Sequence, residues 1–150
     1  MTEYVFWEDI DIGHTAEFGA YAVTREEVIE FATKFDPQPF HLSDEAAAKS
    51  LFGKLCASGW HTTAMFMSMM VEYIGDRKGG LGSPGIDELK WKVPVYPGDT
   101  LSCRNEVLEK SLSPKNPAIG FIKYKNDVLN QDGVVVMSMV GNAIQMRAPQ

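Results

Sequence analysis

The chain has 150 residues, of which 45% are hydrophobic and 23% charged, and a formal net charge of -6. That is the size of one domain, 1–150, able to bury about two-thirds of its unfolded surface without disulfides or metals. An acidic chain without a basic run excludes a nucleic-acid footprint, and Cys56 and Cys103, far apart and outside any C-x-x-C pair, give no disulfide framework or zinc site and fit a reduced cytoplasm.

Met1 to Asp11 carries acidic residues and no charged-then-apolar signal pattern, so secretion is not expected. After a leading stretch that ends near Val23, Thr24-Arg25-Glu26-Glu27 reads as a capping box, in which the Thr hydroxyl accepts from the backbone and Glu27 reaches back. The helix it starts places Val28, Phe31, Ala32 and Phe35 on one face and ends before Pro37. Ser43 caps a second short helix through Ala46 to Lys49, and Gly53 breaks the pattern.

A third helix, Gly59 to Ile74, is apolar almost all round, as a helix is when other structure wraps it. His61 and Glu72 interrupt it, so it is not expected to span a membrane. Gly75 to Gly85 reads as a loop. Its G-x-G-x-x-G match precedes a strand instead of opening a helix, which is the wrong context for a dinucleotide site.

Beyond it the period becomes two. Leu89, Trp91 and Val93 mark a half-buried strand, and Leu101–Leu108, Gly120–Leu129 and Val134–Met146 alternate similarly, the last two joined by the turn Asn130-Gln131-Asp132-Gly133. Lys90, Lys92, Arg104, Lys123 and Lys125 on these strands could supply a local basic patch for phosphates, and their alternation with apolar neighbours fits an ordinary solvated face equally well. An antiparallel sheet with one apolar face needs cover, and the third helix supplies it, giving an α+β domain curled around one helix.

Two segments can carry chemistry. Phe35-Asp36-Pro37-Gln38-Pro39-Phe40-His41 puts a carboxylate and an imidazole five residues apart on a stretch that two prolines keep extended and stiff, with Phe35 and Phe40 making the surroundings apolar. The alternative is an Asp that caps a turn and a satisfied, partly buried His. Ala57-Ser58-Gly59-Trp60 opens the third helix, where unpaired amides and the positive end of the dipole suit an oxyanion; alternatively Ser58 is an N-cap and Gly59 serves close packing. Cys56 before His61 reads as a small buried hydrophobe, not a nucleophile, and His14 as a surface turn residue.

The ordered set Asp36-Pro37-Gln38-Pro39-Phe40-His41, Phe52-Gly53, Ala57-Ser58-Gly59-Trp60-His61-Thr62, Trp91 with Pro94-Val95-Tyr96-Pro97-Gly98-Asp99, and Asn130-Gln131-Asp132-Gly133 resembles the MaoC-like dehydratases and R-specific enoyl-CoA hydratases of the hotdog superfamily. The resemblance, from about Val5 to Ala143, implies a hotdog fold, a homodimer or higher homo-oligomer, and syn hydration of a trans-2-enoyl-CoA to a 3-hydroxyacyl thioester, with CoA as substrate carrier and no cofactor or metal. It implies that Asp36 and His41 activate the water and protonate C2, that the Gly59 amide receives the thioester oxygen, and that Ser58, Gln38 and Trp60 bind substrate beside it. The chain departs from the family at Gln38, where Asn is frequent, and at Ala64, where a Ser is frequent. A thioesterase on the same fold, or a non-catalytic acyl-thioester binding subunit, are the alternative functions.

Overall fold

The computed structural model describes residues 3–150. Five antiparallel strands, β1 (Thr15–Ala22), β2 (Gly80–Trp91), β3 (Thr100–Leu112), β4 (Ile119–Leu129) and β5 (Val135–Met146), form one sheet in the order β1-β3-β4-β5-β2. Three α-helices, α1 (Arg25–Phe35), α2 (Asp44–Ala48) and α3 (Gly59–Ile74), lie between β1 and β2 in the chain. Strand parity explains which face is apolar: Leu101, Cys103 and Val107 of β3, Ile122 and Val128 of β4, and Met137 and Met139 of β5 are all buried. The β4–β5 hairpin closes as expected, because Asn130 Oδ1 accepts from the amides of Asp132 and Val134 and Gly133 takes a positive φ of 76°.

Helix α3 starts where Ser58 caps it, its hydroxyl accepting from the Trp60 amide, and ends at Gly75 with φ 58°. It buries Met65, Phe66 and Met69 in the core shared with the sheet, each about 1.5–3 kcal/mol of transfer free energy. The helix is not wrapped all round within the single chain. Trp60, Met67, Val71 and Ile74 remain exposed on its other side, since one sheet can cover only one face.

Three further expectations are corrected. The stretch before Val23 contains β1, whose bulge between Phe18 and Tyr21 centres on Gly19 at φ 89°, where a Cβ would meet the Met69 sulfur at 2.5 Å. The Gly75–Gly85 loop is in part strand: β2 begins at Gly80 and pairs with β5 through register shifts at its glycines, because ladder hydrogen bonds form whatever the side-chain pattern. Of Leu89, Trp91 and Val93 only Leu89 is half-buried: Trp91, at the end of the edge strand β2, rests on the start of α3 and stays 44% exposed, and Val93 lies beyond the strand.

Candidate active site

The segment after α1 is not extended. Asp36 is the C-cap of α1, its amide bonded to the Ala32 carbonyl, and Pro39–His41 makes one 3-10 turn closed by the Leu42 amide on the Pro39 carbonyl at 3.0 Å. Pro39 suits the first position of such a turn, having no N–H to satisfy there. Had the five residues been extended, the two side chains would stand about 16 Å apart. The turn instead brings His41 Nε2 to 3.5 Å from Asp36 Oδ2.

Two buried anchors orient the pair. The Cys56 carbonyl lies 2.7 Å from His41 Nδ1, and a carbonyl can only accept, so Nδ1 carries a proton, and in the neutral ring Nε2 presents a lone pair toward the carboxylate. Asp36 Oδ2 accepts from the buried Ser58 hydroxyl at 2.7 Å, and Oδ1 accepts from Gln38 Nε2 at 2.7 Å. Burial works to raise the Asp36 pKa, but the hydrogen bonds from Gln38 and Ser58, joined by the positive charge of His41 when that ring is protonated, outweigh it and hold the carboxyl below its usual range. With the ring neutral, two proton acceptors face each other across a gap that a bound O–H can bridge. Phe40 packs edge-on against the His41 ring at 4.6 Å and Phe52 lies at 6.2 Å. Phe52 takes the shielding role expected of Phe35, which is 63% exposed because the last turn of α1 points it outward.

The MaoC like domain model matches residues 10–118. The chain belongs to the MaoC-like domain family. A MaoC-like dehydratase from Rhodospirillum rubrum superposes with TM-score 0.87 at 37% identity, covering 97% of this chain and 99% of that one. The protein YdeM of Bacillus subtilis, uncharacterised, is 30% identical over 131 residues, 86% of this chain and 90% of YdeM. A 3-hydroxybutyryl-CoA dehydratase of Methylorubrum extorquens is 31% identical over 107 residues, 70% of this chain and 65% of that protein. The α+β architecture, a sheet with one long helix against it, is the hotdog fold of the MaoC-like proteins.

Within the MaoC-like frame, the residues around the start of α3 have distinct positions. The Gly59 amide has no acceptor among the described residues, whereas the Trp60 amide is taken by Ser58. A Cβ on Gly59 would fall 2.5 Å from the Trp91 ring, so this glycine serves close packing as well as leaving a free donor. Trp60 is 59% exposed and meets Trp91 edge-on at 4.9 Å, outside the carboxylate–imidazole gap. Of the hydroxyls nearest the family's frequent Ser position, Thr62 is buried, and Thr63 is engaged, donating to the Gly59 carbonyl while accepting from Trp91 Nε1. Cys56 lies beside His41, not His61, with Sγ 3.7 Å from Nδ1, and burial pushes its thiol up to about 11, so it is no thiolate nucleophile. Among the described residues no group of three or more His, Cys, Asp or Glu is placed to hold a metal ion. Lys90, Arg104 and Lys123 are engaged with Glu88, Asp127 and Asp87 on the sheet.

A second carboxylate–imidazole pair was not legible. Glu27 does not reach back to close the capping box, although its amide is bonded to Thr24 Oγ1 at 3.2 Å. Its Oε1 accepts instead from the Tyr21 hydroxyl and from His61 Nε2 at 3.1 Å. The Tyr21 bond above all, with that from His61, holds the Glu27 pKa down against burial, and burial holds that of His61 down despite Glu27. Phe31 stacks on the His61 ring at 4.7 Å, and His61 Nδ1 is buried with no partner.

Proposed function

We propose that the chain is a hydratase/dehydratase that adds water to a trans-2-enoyl-CoA, or a related enoyl thioester, to give a 3-hydroxyacyl thioester, with Asp36 and His41 as its acid–base pair. The carrying observation is the pair of acceptors 3.5 Å apart, each fixed by a separate buried donor or carbonyl. A water between them has both O–H bonds directed at acceptors and its oxygen lone pairs free for C3. The depressed carboxylate is the weaker base, so His41 Nε2 takes the proton as oxygen bonds to C3 and the double-bond electrons move through C2 toward the thioester oxygen. Asp36 stays ionised and steadies the imidazolium. The Gly59 N–H receives the developing oxyanion, an interaction worth about 2.7–4 kcal/mol. The imidazolium then returns its proton to C2 on the same face. Likeness to the named 3-hydroxybutyryl-CoA dehydratase supports a short acyl-CoA as substrate.

A second copy of the chain is the natural cover for the bare side of α3. Met67 and Val71 of α3 and Ile86 and Trp91 of the edge strand β2 are exposed apolar side chains that a partner could cover. A homodimer buries them, and light scattering on the purified protein tests it. The two buried free thiols fit a reducing cytoplasm.

The test is loss of the conjugated enoyl thioester absorbance with crotonyl-CoA and a longer enoyl-CoA, run beside a thiol reagent. Absorbance loss without free thiol, abolished by Asp36→Asn, is the expected result. Thiol release would mean a thioesterase, and tight binding without either signal an acyl-binding subunit.

A further inference from the structure

Trp91 closes the edge strand β2 and is 44% exposed, and an indole so exposed need not find a protein partner for its N–H. The N–H nevertheless donates to Thr63 Oγ1 of α3 at 3.1 Å. That hydroxyl has one proton to give. The Gly59 carbonyl at 3.0 Å is a stronger acceptor than the Met137 sulfur at 3.4 Å, so Thr63 passes the bond on to Gly59. The indole also rests on Gly59 directly: a Cβ there would fall 2.5, 2.6 and 2.9 Å from Cδ2, Cε2 and Cε3 of Trp91. Trp60 meets the same indole at 4.9 Å, with the two rings 79° apart.

Gly59 is the residue that most needs such support. It is the first of α3, where the helix supplies no partner for the amide, and glycine has the widest choice of backbone conformations. On one side of it Ser58 is tied to Asp36 by the 2.7 Å hydrogen bond. On the other, Thr63 holds the carbonyl and Trp91 covers the Cα. Packing alone does not require an indole, since a phenylalanine at 91 would also cover a glycine. What tryptophan adds is the N–H that fixes the ring to Thr63. Contacts thus run without a break from the carboxylate of the acid–base pair, through Ser58 and Gly59, to β2, and they set where the unpaired Gly59 amide stands relative to the gap between Asp36 and His41.

We infer that Trp91 and Thr63 are positioning residues that hold the Gly59 amide in place for the thioester oxygen. Neither exchanges a proton with substrate. Their effect is to keep a donor where negative charge develops, so that nothing has to reorganise as the oxyanion forms. The inference rests on the enoyl-thioester reading of Asp36 and His41 and extends it to two residues outside that pair.

The experiment uses the full chain with Thr63→Val, Thr63→Ser and Trp91→Phe. Valine keeps the shape of threonine without the hydroxyl, serine restores the hydroxyl, and phenylalanine keeps a ring without the N–H. In crotonyl-CoA hydration Thr63→Val and Trp91→Phe should each lower kcat by about tenfold with KM within about threefold of wild type, and Thr63→Ser should recover most of the loss. Butyryl-CoA carrying heavy carbon at its carbonyl has no double bond to hydrate and gives a second readout by difference infrared spectroscopy. Bound to the wild type, its carbonyl stretch should lie below that of the free thioester, and in Thr63→Val it should return toward the free value. A purely structural role would lower the urea midpoint and leave that band in place. An unshifted band in the wild type, or no butyryl-CoA binding, would overturn the inference even where the variants fail to fold. So would a folded Thr63→Val that leaves both kcat and the band unchanged. A shifted band that returns in Thr63→Val, with no enoyl-CoA hydrated by the wild type, would instead sink the hydratase reading and leave the positioning of Gly59 standing.

Discussion

Two carboxylate–imidazole pairs flank the first turns of α3, and they are wired in opposite senses. In Asp36–His41 the backbone carbonyl of Cys56 takes the proton on Nδ1, so Nε2 and the carboxylate face each other at 3.5 Å as two acceptors. In Glu27–His61 the carboxylate itself takes the proton on Nε2, at 3.1 Å, and the other ring nitrogen is sealed in. The same two residue types thus give a gap that calls for a substrate proton in one place and a closed, oriented anion in the other. What differs is the third partner, a carbonyl against an unpaired buried nitrogen. Function follows from which ring nitrogen is already engaged.

The strongest way to break the comparison is to remove an acceptor from the open pair. Asp36→Asn or His41→Ala should lower enoyl-CoA hydration by about 10²–10⁴-fold with the fold intact by circular dichroism; activity within tenfold of wild type would show that the gap is not where the proton moves. Next in size is Gly59→Ala. Its Cβ would strike the Trp91 ring, and about 1–3 kcal/mol of stability should be lost in urea denaturation, together with activity.

Ser58→Ala sharpens the account of Asp36. It deletes one donor to the carboxylate and the cap on the Trp60 amide, costing about 0.5–2 kcal/mol. With one donor gone the Asp36 pKa rises toward its ordinary value, so the acidic limb of kcat/KM should move to higher pH. An unmoved limb would separate Ser58 from the ionisation of Asp36.

The smallest effect concerns the closed pair, read as stability against pH. His61 is depressed by burial, so its contribution is complete above its unfolded pKa of about 6.5 and is lost as pH falls through the lower folded value. Glu27 and Asp36 are also depressed, and their contributions are lost below about 4. His61→Phe should therefore flatten the fall of the urea midpoint that sets in below about pH 6.5, while leaving the acid loss below about pH 4. A persistent slope in that window would assign it to another group.

Much of this was legible in the sequence because the signals were local. Ser58 and Gly75 bracket α3 at its observed limits, and Asn130 to Gly133 carry their own turn chemistry. The proximity of Asp36 and His41 was legible as well, though through the wrong geometry: Pro39 starts a turn instead of stiffening an extended segment. What was missed depends on long-range partners. Strand β1 is broken by Gly19, whose place is fixed by Met69 on α3, and the diversion of Glu27 from its capping box requires Tyr21 and His61 to arrive from two other elements. The all-round apolar pattern of α3 identified a helix with two faces to cover but not what covers the second.

The most direct test is the protonation of the histidine rings, read by long-range proton–nitrogen NMR correlation near neutral pH, with exposed His14 as the internal reference. The account predicts His41 with its proton on Nδ1 and a bare Nε2, and His61 with its proton on Nε2. His41 carrying its proton on Nε2, already donated to Asp36, would close the gap and contradict the assignment of the pair as a site for activating water.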